Sequence, residues 1–193
     1  MPKTTFHHLS EEKRQAVVAV LIHEFESYPL PDATVKHIVD ALGIARGSFY
    51  QYFDSLTESY FYVLEREVIE THSLFLKLFH QCHRDTMQAL EIYGEVLAKE
   101  IFQGKHYALY KNRYLYWNAS LERDWRNYLA ENQKDSSPME SMNENEPIRF
   151  VKAIIHALMQ RLFMENWDRE TFLKRYHQHI QWIKGGLTNV SPD

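Results

Sequence analysis

The chain reads as an all-α protein of about nine helices. Three observations predict this fold class. Apolar residues recur at three- and four-residue spacing through most of the sequence. No stretch shows convincing strand alternation. Capping residues and helix breakers bracket the periodic runs.

Taken in order, Ser10 is placed to cap a first helix running to about residue 27, with Val17, Val20, Leu21, Glu24 and Phe25 tracing its turns. Tyr28-Pro29-Leu30-Pro31-Asp32 breaks it. Between Thr34 and Phe53, apolar residues fall at Ile38, Leu42, Ile44, Phe49 and Tyr52, with Gly43 between the two groups. That pattern predicts two short helices meeting at a tight turn, in which Gly43 takes the positive φ that ends the first. Ser55-x-x-Glu58 is a capping box opening a long helix from residue 56 to about 79. Further helices are expected over 85–104, 106–118 and 121–130. Residues 131–146 change character: Glu131, Asp135, Glu140, Glu144 and Glu146 stand against Lys134, and the segment reads as an acidic loop. Pro147 suits the first turn of a helix to about 167, and Asp168 caps a last helix that Gly185-Gly186 terminates.

At 193 residues the chain is long enough for one domain or for a small head on a larger body. Hydrophobic content of 45% with 25% charged residues is ordinary for a globular protein. The single Cys82 excludes an intramolecular disulfide and fits a reducing cytosol. No targeting segment is visible, and the longest apolar run, residues 16–22, is far short of a membrane span. A cytoplasmic location is expected.

The second helix of the 34–53 block keeps Phe49 inside and presents Arg46, Ser48, Tyr50 and Gln51 outward. These are donor-rich side chains suited to phosphates and base edges, so the block reads as a DNA-binding helix-turn-helix. Arg46, Ser48 and Gln51 are the expected base readers. Thr34, Tyr50 and Tyr52 are the expected phosphate contacts, and Gly47 lies in the same interface. Charge pulls the other way: residues 1–53 hold five Lys and Arg against six Asp and Glu, a net of −1. Binding carried by local geometry on so little positive charge predicts a modest salt dependence.

Phe25 and the Thr34–Phe53 block, above all Gly47-Ser48-Phe49-Tyr50-Gln51-Tyr52-Phe53, resemble the amino-terminal signature of the TetR family of one-component repressors. The resemblance implies a three-helix DNA-binding head over residues 1–55 and an effector-binding and dimerisation body over 56–193. It also implies a homodimer on a palindromic operator. Two positions depart from the family pattern. Val39 stands where alanine is usual, and Leu56 stands where a lysine usually touches a phosphate, leaving backbone N–H groups near Ser55 as the substitute. Two late stripes, Ile148, Val151, Ile155, Leu158 and Leu162, then Phe172, Tyr176, Ile180, Ile183 and Leu187, either fill this chain's own core or meet their symmetry mates in a four-helix bundle.

The eleven histidines raise the question of metal. His80 and His83 flank Cys82 near a helix end, where histidines commonly serve the helix dipole. His177 and His179 point to different faces, and His7 and His8 are expected in a floppy terminus. No metalloprotease motif, phosphate-cradling glycine loop or nucleophile elbow occurs, so an enzyme is not expected. His72 lies among Val68, Ile69, Phe75 and Leu76 at helical spacing, and His156 sits between Ile155 and Ala157. Each reads either as a hydrogen-bonded core histidine or as an axial ligand to haem in an aromatic body.

Met1-Pro2-Lys3, residues 46–53, Tyr60-Phe61-Tyr62-Val63-Leu64, Leu121-Glu122-Arg123-Asp124-Trp125 and Glu165-Asn166-Trp167-Asp168 resemble haem-sensing TetR regulators of haem-efflux transporters in Gram-positive bacteria. That resemblance implies haem as effector, held between His72 and His156, and release of the operator when haem binds. An inducer of another lipophilic type and a haem-carrier module are the alternatives.

Overall fold

The computed structural model describes residues 2–132 and 146–185, with the side chains of residues 67–73, 147 and 148 outside the description. Ten α-helices lie among the described residues: α1 Thr4–His7, α2 Glu11–Ser27, α3 Val35–Leu42, α4 Arg46–Tyr52, α5 Leu56–Gln81, α6 Thr86–Gln103, α7 Tyr107–Tyr116, α8 Ala119–Asn132, α9 Glu146–Met164 and α10 Arg169–Gly185. The all-α class is as expected. The count of about nine is corrected by α1, a single turn in the segment expected to be floppy. Its Phe6 is fully buried against Tyr52, Phe53 and Tyr62, which orders the turn. The expected acidic loop falls mostly on residues outside the described ones.

Local capping explains where the helices begin. Ser10 Oγ accepts from the Lys13 N–H at 3.4 Å, Asp85 Oδ1 from Gln88 at 3.0 Å and Asp168 Oδ1 from Thr171 at 2.8 Å. The Ser55 box is reciprocal, with Glu58 N–H donating to Ser55 Oγ at 3.0 Å and the Glu58 carboxylate accepting from the Asp54 N–H.

The chain divides into two compact units, one of Met1–Val68 with Ala108–Ser137 and one of Ile69–Tyr107 with Pro138–Asp193. In the first, Val17, Leu21, Phe25, Ile38, Phe49, Phe53, Tyr60 and Val63 form one core that continues to Leu109, Trp125 and Tyr128. Tyr128 donates its hydroxyl to Glu65 Oε2 at 3.0 Å. Burial, then the Glu65 carboxylate, push that phenol well above its ordinary range.

In the second unit, α6 and α10 pack closely. Gly94 makes this possible, because a Cβ there would meet the Tyr176 ring at 2.5 Å. The fully buried Tyr176 donates its hydroxyl to the Leu90 carbonyl at 2.8 Å. Val151, Leu158, Met159, Leu162 and Phe163 of α9 are buried as well.

Much of the two late stripes fills this chain's own core. Leu158, Leu162, Phe172, Tyr176 and Ile180 are buried, with Phe172 packed on Phe102 and Tyr176, while Ile155 and Ile183 are half-buried. Ile148 and Leu187 lie outside the described side chains. The opposite face of α9 stays exposed and carries Phe150, Ala153, Ala157 and Met164. No helix among the described residues is long and apolar enough to cross a membrane.

Candidate nucleic-acid interface

The helix-turn-helix is built as its residues dictate. Thr34 caps α3 by accepting from the His37 N–H at 3.2 Å. Gly43 ends α3 in the left-handed region at φ 63°, and the Ile44 N–H returns to the Val39 carbonyl at 3.1 Å. A buried carboxylate braces the unit: Glu24 Oε1 accepts from the Thr34 N–H at 2.8 Å and meets His37 Nδ1 at 3.0 Å. Ile38 and Phe49 fill the space between the helices.

This leaves α4 with a sharply divided surface. Phe49 is buried, while Arg46, Gly47, Tyr50 and Gln51 are exposed. Ser48, Tyr52 and Thr34 are half-buried. Arg46 Nη2 approaches the Tyr50 hydroxyl at 3.4 Å, and its guanidinium lies 5.9 Å from the ring centroid, so the two side chains lie together on the surface. Ala45, at the N-cap, gives no side-chain cap, and its carbonyl accepts from the Ser48 N–H at 2.9 Å.

Gly47 is informative. It is exposed, and a Cβ built there meets nothing within 4 Å. It has no positive φ. Nothing inside the chain requires a glycine that costs a helix about 1 kcal/mol relative to alanine. A surface that a ligand backbone approaches closely does require one.

The exposed cations of the head are few. Lys13, Lys36 and Arg46 are exposed, whereas Lys3 pairs with Asp54 and Arg14 pairs with Glu11. A groove of about 390 Å³ between the start of α5 and α8 is lined by Asp54, Glu58, Asp124 and Glu131 with Phe61 and Tyr128, and its carboxylates repel phosphate. The Leu56 position is half-buried and offers no charge.

Sequence reasoning missed the amino-terminal arm. Lys3 N–H donates to the Tyr52 carbonyl at 2.8 Å, Lys3 Nζ to the Tyr50 carbonyl at 2.8 Å, and Thr5 Oγ1 to the Gln51 carbonyl. The signal was the lone Phe6 ahead of the Ser10 cap. It also missed Asn112 of α7, whose amide reaches the end of α2.

Of the proposed haem ligands, the His72 side chain lies outside the described residues, on α5. His156 is half-buried on α9. Among the described residues, no group of three or more His, Cys, Asp or Glu is arranged to hold a metal ion, so His80, Cys82 and His83 form no such centre. Phe61, Trp117, Trp125 and Tyr128 pack on one another in the first unit.

A profile of the family described as "Tetracyclin repressor, C-terminal domain" matches residues 86–186, just over half of the chain. No curated protein matches the sequence. Two solved structures share the fold. The fatty acid degradation regulator FadR from Bacillus halodurans is 16% identical with a TM-score of 0.60, over 93% of this chain and 97% of that one. A TetR family transcriptional regulator from Chloroflexus aurantiacus J-10-fl is 18% identical with a TM-score of 0.52, over 95% of this chain and 91% of that one. The chain belongs to the TetR family of transcriptional regulators.

Proposed function

We propose that the protein represses transcription by holding a palindromic operator as a two-fold dimer, and that haem releases it. The observation that carries the DNA reading is the exposed row Arg46, Gly47, Tyr50 and Gln51 on α4, whose inner face is occupied by Phe49. The exposed apolar stripe of α9 supports the dimer, since a symmetric copy laid on Phe150, Ala153, Ala157 and Met164 removes that surface from water.

The haem reading rests on the spread of motifs shared with haem-sensing relatives and on the two histidines. His72 and His156 belong to the same compact unit, and a half-buried imidazole at His156 suits an axial iron ligand. His72 on α5 and His156 on α9 would hold the group, whose iron would supply a bond to each imidazole. Haem-responsive control of a haem-efflux transporter follows as the biological role.

Haemin titration tests this. The wild type is expected to give a low-spin Soret band that changes in His72→Ala and in His156→Ala, with both variants still binding DNA but no longer released by haem. For DNA, Gln51→Ala costs about 1–3 kcal/mol on the preferred site and relaxes sequence preference, while Tyr50→Phe weakens all sequences alike. No Soret shift in the wild type removes haem. In that event the effector is a lipophilic acyl compound, the reading favoured by the fold shared with a fatty acid degradation regulator.

A further inference from the structure

We propose that Lys3 is a positioning residue for DNA reading: its two nitrogens, with the Thr5 hydroxyl, hold the C-terminal end of α4 in a shape that helix cannot keep alone. This rests on the reading that α4 faces DNA. The helix has seven residues, far below the roughly 12–15 at which isolated helices become stable. It includes Gly47 and has no side-chain cap at its start. Its inner face is pinned by the buried Phe49, and its C-terminal end is held separately.

The last four carbonyls of α4 are all satisfied. Phe49 receives the Phe53 N–H at 3.0 Å, and the other three are held from the amino-terminal arm. Tyr50 receives Lys3 Nζ at 2.8 Å, Gln51 receives the Thr5 hydroxyl, and Tyr52 receives the Lys3 N–H at 2.8 Å. The ammonium also meets the helix dipole with the favourable sign and pairs with Asp54 at 2.7 Å. The arm stays in place because the fully buried Phe6 packs on Tyr52 and Phe53.

Two of the held carbonyls belong to Tyr50 and Gln51, whose side chains are exposed. Releasing them lets Tyr50 and Gln51 wander. The Lys3 charge, directed at Tyr50 and Asp54, acts through α4 rather than on a phosphate.

The test compares Lys3→Met, Lys3→Arg and Thr5→Val in the full chain. One measurement is amide hydrogen exchange of residues 46–53 without DNA. The other is the ratio of affinities for two duplexes over a salt series: the palindrome that the wild type selects from a random-sequence library, and an unselected random duplex. Lys3→Met is expected to speed exchange in α4 about tenfold, leave α2 unchanged, lower the affinity ratio several-fold and keep the salt slope. Lys3→Arg restores most of the ratio, and Thr5→Val reproduces part of the exchange effect. Unchanged exchange in both Lys3→Met and Thr5→Val overturns the proposal. So does a salt slope reduced by about one with an unchanged ratio, the signature of a phosphate contact. If the wild type selects no sequence, the DNA reading of α4 fails instead, while the exchange result still decides whether Lys3 holds the helix.

Discussion

Asn112, on α7, donates its side-chain amide to the backbone carbonyl of Phe25 at 2.9 Å. The same group reaches the Glu26 carbonyl at 3.1 Å, so one side chain closes the C-terminal end of α2. Asn112→Ala leaves both carbonyls without that donor and is expected to cost about 1–2 kcal/mol. Asn112→Asp aims a carboxylate at the same carbonyls and should cost more. Urea unfolding of the two variants checks the order.

Gly47 separates stability from binding. Gly47→Ala should stabilise the DNA-free chain by about 0.5–1 kcal/mol, since the added methyl meets open space. Operator affinity should fall. Thermal unfolding and a DNA-binding titration on the same sample must therefore move in opposite directions.

The two faces of α9 make different predictions for charge insertion. Leu158→Asp buries an unpaired charge inside the chain and should unfold it, at a cost of several kcal/mol. Ala157→Asp lies on the exposed face and should leave the chain folded while converting dimers to monomers. Sedimentation together with far-ultraviolet circular dichroism distinguishes the two outcomes.

The corner between α9 and α10 should show a pH signature. A hydrogen bond from Arg161 holds the Glu165 carboxyl below its ordinary range, and bonds from Thr171 do the same for Asp168. Groups depressed in the folded state stabilise it above their unfolded pKa, about 4, and lose that contribution as pH falls through the folded value. Urea midpoints should decline below about pH 4, and Asp168→Asn should flatten part of the decline.

What could be read from the sequence was local. Ser10, Ser55, Asp168 and Gly43 mark their helix ends because a cap needs only residues three or four apart. The outward set Arg46, Tyr50 and Gln51 was legible because Phe49 defines the inner face; only Ser48 sits deeper than expected. The arm was illegible because four residues carry no periodicity, and its order comes from α4, some 46 positions away. Amphipathic spacing identified the apolar side of α9 and α10. It could not say whether those residues pack on α6 or on another copy, a choice made by long-range contacts such as Gly94 against Tyr176.

The internal commitment of cations in the head bears on how the operator is found. Lys3 is turned to Asp54 and Arg14 to Glu11, and the exposed Lys13, Lys36 and Arg46 stand in a head whose carboxylates outnumber its cations, so little net positive charge remains to grip an arbitrary stretch of duplex. Such a protein dwells briefly at each chance encounter and slides only short distances. It locates its target mainly by repeated three-dimensional collisions. Few copies are then expected to be held on sequences other than the target.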